Sequence, residues 1–194
     1  MRESQKMGID RGLFDQRFRP YWFKYLLQSI YATASVFIAL VILRQQNLVV
    51  AASLAATSFT LFVMPHRVIA SARNVIGGHM AGLLTGSLFS LISVNSTITQ
   101  DVVYAATVGT AMLLMAVTDT EHTPAAGTAL GTVIAGFSVK LVLGVLTGVV
   151  LIKLFHAMLK PILRDLTHPL AARAEKDNQS VISSEQSNVN QTSR

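Results

Sequence analysis

The sequence predicts an all-α, polytopic helical membrane protein of about five to six membrane segments, one of them short or re-entrant. Three observations carry that prediction. Of 194 residues 51% are hydrophobic and 13% charged, with a mean hydropathy of +0.48, which is too apolar for an ordinary soluble domain of this length. The charges are segregated, so that residues 25–44, 48–64, 75–94, 102–118 and 125–158 hold very few. The first four of these stretches are each near the roughly 20 residues that cross a bilayer as a helix. Finally, the bases lie at the ends of the apolar stretches and in the two tails, so the formal charge of +6 reads as membrane topology and not as a nucleic-acid surface. The chain has no cysteine, which excludes disulfides, thiolate metal sites and a cysteine nucleophile.

Residues 1–24 carry Arg2, Lys6, Arg11, Arg17, Arg19 and Lys24 against Glu3, Asp10 and Asp15. The positive-inside rule places this lead on the cytoplasmic side of what reads as a bacterial inner membrane. No cleaved signal peptide is expected, because the polar lead is long and no small-residue cleavage pattern follows the first apolar run. Phe14, Phe18, Tyr21, Trp22, Phe23 and Tyr25 read as an interfacial aromatic belt, with Phe14, Phe18 and Trp22 on one face of a helix lying along the membrane. A partner-docking surface is the alternative.

The first span is expected over residues 25–43, closed on the far side by the polar turn Arg44, Gln45, Gln46 and Asn47. Residues 48–64 return to a loop marked by Pro65, His66, Arg67 and Arg73. The chain re-enters after Asn74 and emerges near Asn95, and residues 95–101 lack Lys and Arg as an outer loop should. Residues 102–118 come back and deliver T-D-T-E-H-T-P-A-A-G-T-A-L-G, residues 118–131, to the same side as residues 65–74. The 34 residues 125–158 exceed one span and fall short of two comfortable ones. Gly136 and Lys140 divide them into a short helix from Pro124 to about Ala135 and a span over 138–158. Lys153, Lys160, Arg164, Arg173 and Lys176 place the C-terminus in the cytoplasm, which requires an even number of crossings. The chain thus divides into a basic, aromatic lead (1–24), a transmembrane domain (25–158) and a polar tail (159–194), whose residues 171–194 have the composition of disorder.

Sliding the chain by 50 residues aligns Ala55, Ala56, Thr57, Thr60, Gly77 and Gly86 with Ala105, Ala106, Thr107, Thr110, Gly127 and Gly136. Both units read as span, polar loop and glycine-rich helix, a parallel internal repeat about an axis along the membrane normal. Asn74 then corresponds to Pro124, and the two helix starts converge. A helix start offers free N–H groups and the positive end of a dipole, so two together favour an anion. Gly77, Gly78, Gly127 and Thr128 lie in the first turns; His79 and His122 add donors, and Arg73 attracts an oxyanion. Asp119 and Glu121 repel an anion and fit proton coupling, pairing with Arg67, Arg73 or Lys140, or simple capping of the helix at Pro124. His79 reads either as a satisfied interhelical hydrogen bond or as part of the site. His66 and His156 read as interfacial, and Lys140 as a side chain reaching for an interface. The spacings Gly78/Gly82/Gly86, Gly127/Gly131 and Gly144/Gly148 are helix-packing notches, compatible with a small homo-oligomer. No H-E-x-x-H, G-x-S-x-G or phosphate loop occurs, so no enzyme, metal or cofactor is expected.

Residues 50–86 contain R-N-V-I-G-G-H, and residues 121–131 read E-H-T-P-A-A-G-T-A-L-G. These two blocks resemble the HPP family of integral membrane proteins, named for a His-Pro-Pro motif, and the likeness covers most of residues 25–158. Family members in plastids and cyanobacteria are associated with nitrite transport, so the resemblance implies a small-anion transporter. In this sequence the motif reads His122-Thr123-Pro124, with threonine in place of the middle proline. The function expected is therefore passage of a small solute, an inorganic anion such as nitrite, through a site formed by Arg73, Asn74, Gly77, Gly78, His79, His122, Thr123, Pro124, Gly127 and Thr128. The alternative is a non-transporting scaffold or sensor subunit whose polar loops bind a cytoplasmic partner.

Overall fold

The computed structural model describes residues 18–43 and 47–166. The lead before residue 18, the turn residues 44–46 and the tail from 167 onward, with the expectations that fall on them, lie outside the described residues. Six α-helices follow one another: α1 (Phe18–Leu43), α2 (Leu48–Val63), α3 (Ala72–Phe89), α4 (Thr97–Val117), α5 (Pro124–Ala135) and α6 (Val139–Leu159). Short 3-10 turns occupy Val68–Ala70 and Lys160–Ile162, and the described residues include no strand.

Local chemistry sets the helix boundaries. Asn47, Ser71 and Ser96 each cap a helix by accepting from the N–H three residues on, at Val50, Asn74 and Thr99. The Ser71 cap starts α3 at Ala72, three residues before the expected start at residue 75, and the helix ends at Phe89 instead of near residue 94. The Ser96 cap likewise starts α4 at Thr97, so most of the expected outer loop is helical. Pro124 stands in the first turn of α5, where its missing N–H costs nothing. Gly136 ends that helix at φ 78, in the left-handed region that side chains avoid. The short helix and the break after Ala135 are as expected.

Two expectations need correction. From Phe18 onward the aromatic segment forms no separate helix along the membrane, since α1 runs unbroken for 26 residues, about 39 Å; Phe14 lies outside the described residues. Tyr21, Trp22 and Phe23 stay exposed within its opening turns. His156 is not interfacial but fully buried, because α6 turns that face against Phe62, whose ring meets the imidazole edge-on at 5.9 Å.

Contacts along the chain show that successive helices run in opposite directions. Near the start of α1, Lys24 and Gln28 reach the carbonyls of Ile162 and Arg164 beyond the end of α6, and Gln28 also donates to Phe62 near the end of α2. At the same end Leu166 N–H bonds Val63, and Arg73 at the start of α3 bonds Thr118 after α4. At the other end Asn47 donates to Gly131 of α5. The described chain therefore begins and ends on one side, as the even-crossing expectation required. Pro20–Val41, Thr97–Val117 and Val139–Ile162 are long and apolar enough to cross a membrane, and α2 and α5 are shorter apolar helices. The glycine-rich α3 packs against α4, α5 and α6.

The bundle buries many polar side chains beside its apolar core and turns large apolar ones outward. Gln28, Ser53, Thr57, Ser58, His79, Thr107, His122, Thr128 and Thr132 are buried, while Phe37, Phe59, Leu84, Leu113 and Leu143 are exposed. Water would penalise that outer face, and lipid solvates it. Inside, hydroxyls join helices directly, as with Ser35 and Ser58 at 2.7 Å between α1 and α2.

Candidate functional site

α3 and α5 lie side by side and parallel, because small residues on both let their backbones touch. A Cβ added at Gly78 would stand 2.8 Å from His122 Cβ, one at Gly82 2.5 Å from the Ala125 carbonyl, and one at Gly86 2.6 Å from the Ala129 carbonyl. The order of those partners fixes the register, so both helices start at the same end of the bundle. Gly127 and Gly131 do the same for α5 against α2, where an added Cβ would meet Ser53 at 3.4 Å and Val50 at 2.7 Å. Gly77 is closed over by Thr120, 2.6 Å from its virtual Cβ. Gly78 and Gly127 thus shape close packing at α5, and Gly77 seats the loop before it.

Between α2, α3 and α5 sits a buried polar chain. His79 of α3 and His122 of the loop before α5 face each other with ring centroids 5.3 Å apart, and both are buried. Thr57 of α2 bridges them, its Oγ1 lying 2.9 Å from His79 Nε2 and 3.3 Å from His122 Nε2. His79 Nδ1 meets Thr128 Oγ1 at 2.8 Å, which meets Ser53 Oγ at 2.6 Å, and Ser53 donates to the Pro124 carbonyl at 2.7 Å. At the other end His122 Nδ1 lies 3.1 Å from the Ile69 carbonyl. A carbonyl only accepts, so Nδ1 carries the hydrogen and Nε2 of the neutral ring is a lone pair directed at Thr57. Burial pushes the His122 pKa down from 6.5 to about 4; its bond to Ile69 raises it and the Lys153 charge lowers it.

The remaining expected site residues are placed around this chain. Asn74 is a latch: its side chain donates to the Glu121 carbonyl at 3.0 Å and accepts from the Ser71 hydroxyl, holding the 118–123 loop over α3. Arg73 is exposed and engaged, with Asp119 at 3.2 Å and the Thr118 carbonyl at 3.0 Å. Of the three bases named for the acidic pair, Asp119 takes Arg73. Glu121 is exposed, and α5 has no acidic residue in its first turn. Thr123 is exposed and makes no capping bond from its side chain. Thr123, Pro124 and Gly127 line an open groove of about 410 Å³ with Ser53, Ala56, Phe59 and other α2 residues. Among the described residues no cluster of three metal-ligating side chains occurs.

Sequence reasoning missed Ser53 and Thr57, although hydroxyls four residues apart in the apolar run A-A-S-L-A-A-T-S mark one helix face. It also missed the inward turn of Lys153, which donates to the Ala70 carbonyl at 2.6 Å and to His156 Nδ1 at 3.3 Å.

The blocks that build this centre, R-N-V-I-G-G-H and H-T-P-A-A-G-T-A, lie within a match to the family described as HPP, transmembrane region, over residues 18–169. The chain belongs to the HPP transmembrane family. Within the matched range, Pro124 starts α5 and accepts from Ser53. Neither a curated protein nor a solved structure matches the chain. The membrane character that membership in the HPP family implies agrees with the apolar exterior of the bundle.

Proposed function

We propose that this HPP protein transports a small solute, an inorganic anion such as nitrite, across the membrane. The observation that carries the reading is the buried His79–His122 pair, held 5.3 Å apart where two parallel helices begin and joined through Thr128 and Ser53 to the groove beside α5. Two helix dipoles point their positive ends at this region, which favours an anion there without a fixed cation. The glycine contacts between α3 and α5 hold the histidines in place. Of the two carboxylates, Asp119 stays at the margin, paired with Arg73. The basic end of the bundle faces the cytoplasm of a bacterial inner membrane, and the exposed apolar faces accommodate lipid or a second copy of the chain.

Purified protein in liposomes tests the reading by nitrite uptake, compared with nitrate, formate and chloride and with protein-free vesicles. Uptake above the empty-vesicle rate, reduced at least tenfold in His122→Ala, is the expected result. Uptake unchanged by that substitution would remove His122 from the site. No uptake of any of the four anions would favour a scaffold or sensor role.

A further inference from the structure

The buried chain has one link more than it has hydrogens. Its six links run Ile69 carbonyl to His122, His122 to Thr57, Thr57 to His79, His79 to Thr128, Thr128 to Ser53, and Ser53 to the Pro124 carbonyl. Both ends are carbonyls that can only accept. The five groups between them bring one hydrogen each when neutral, so one link is always empty. Thr57 can also spend its hydrogen on the Ser53 carbonyl at 2.9 Å, which deepens the shortfall.

A single added proton fills all six links, and does so in two ways. With His122 cationic, its Nε2 donates to Thr57, whose hydroxyl then donates to His79. With His79 cationic, its Nε2 donates to Thr57, whose hydroxyl then turns to His122. The remaining links are the same in both arrangements. Transfer of one hydrogen from His122 Nε2 to Thr57 Oγ1 and of the Thr57 hydrogen to His79 Nε2 moves the charge from one ring to the other and leaves the hydroxyl facing His122, and its rotation resets the link once the proton has left; no bond other than O–H and N–H changes, and no hydrogen is lost. We propose that Ser53, Thr57, His79, His122 and Thr128 are a one-proton relay that binds its proton together with the transported anion. This rests on the transport reading above and adds its coupling ion.

The surroundings explain why an anion is needed. Both nitrogens of each ring are taken by hydroxyls or a carbonyl, none by a carboxylate. α2 and α5 contribute no ionisable residue, and on α3 the other one is Arg73, paired with Asp119. α4 carries Asp101 and Tyr104 near its opposite end, and the flanking loops carry His66, Arg67 and the exposed Glu121. α6 contributes Lys140 near its far end, His156, and Lys153, whose charge opposes protonation of His122. A proton on the pair is therefore a buried cation without a protein counter-ion, which is costly. An anion in the groove that Ser53 and Pro124 line supplies the missing charge, so proton and anion bind together. The solute class is then a small monovalent anion carried with one proton.

The test uses the full chain in liposomes with a trapped pH dye and external nitrite, with protein-free vesicles as the baseline. Wild-type protein is expected to acidify the lumen as nitrite enters, and nitrite accumulation should rise about tenfold per unit of inward pH gradient, as one coupled proton requires. Thr57→Val should lose the pH-driven accumulation, and Thr57→Ser should restore it. Accumulation indifferent to the pH gradient, or a Thr57→Val protein as pH-driven as wild type, would overturn the relay while leaving transport intact. If no anion is transported at all, imidazole nitrogen NMR of the purified protein still decides. His79 and His122 sharing one proton between pH 8 and 4, at a midpoint raised by nitrite, supports the relay. Two rings that each keep a fixed neutral tautomer with and without nitrite refute it.

Discussion

At the scale of the residue, His122 ties the fold to pH. Its pKa falls from 6.5 in the unfolded chain to about 4 in the folded one, so between those values the unfolded state binds more protons. The contribution to stability is then complete above about pH 6.5 and is lost as pH falls toward 4. The pKa difference sets an upper bound of about 3 kcal/mol. Thermal unfolding in detergent should show a midpoint that drops between pH 7 and pH 4.5, and His122→Gln should flatten part of that slope. An equal slope in the variant would mean that the ring is solvated. Asp119 makes the opposite case. Its ion pair with Arg73 has both side chains mostly in solvent, at 80% and 65% exposure, where such pairs contribute about 0–1 kcal/mol. Its φ of 53 suits asparagine as well as aspartate. Asp119→Asn should therefore leave the unfolding midpoint and anion uptake within error of wild type; a large loss of uptake would return this carboxylate to the mechanism.

At the scale of the element, α3 and α5 depend on missing side chains. Gly82→Ala puts a methyl 2.5 Å from a backbone carbonyl and 3.2 Å from a backbone nitrogen of α5, atoms that cannot step aside without moving the helix. The expected cost is about 1–3 kcal/mol, more than the gain of about 0.5–1 kcal/mol from replacing a helical glycine. Gly144 of α6 and Gly109 of α4 have nothing within 4 Å of a virtual Cβ, so alanine there should be neutral or slightly stabilising. Paired unfolding curves of Gly82→Ala and Gly144→Ala check this, and similar midpoints for the two would show that the interhelical contact is loose. The same helices show what could be read without coordinates. Pro124 and Gly136 bound α5 because each acts on its own backbone, one by lacking an N–H and the other by accepting positive φ. Thr57 gave no such sign: in an apolar helix a hydroxyl can satisfy itself on the carbonyl four residues back, as Thr57 also does on Ser53. Only the packing of α2 against α3 and α5 reveals that it stands between two imidazoles. His156 was misplaced for the same reason, since the face that α6 turns inward depends on Phe62, far away in the chain.

At the scale of the whole molecule, the alternation of bases and apolar runs was enough to give helix number and the common side of the two ends. The depth of α5 was not. Twelve residues rise about 18 Å, short of the roughly 30 Å of a hydrocarbon core, and length alone permits either a re-entrant dip or a crossing completed by flanking backbone. The packing separates these: α5 starts beside the opening of α3 and reaches Val50, at the opposite end of α2, with Gly131, so the chain has changed sides before α6 begins. Because the chain has no cysteine, single substitutions can report this directly with a membrane-impermeant maleimide on intact and opened vesicles. Lys140→Cys should label from the same side as Ser96→Cys, and Glu121→Cys together with Lys160→Cys from the other. If Lys140→Cys instead labelled with Glu121→Cys, α5 would be a re-entrant hairpin. The relay would then end in a cavity open to one side only and could not carry its proton across.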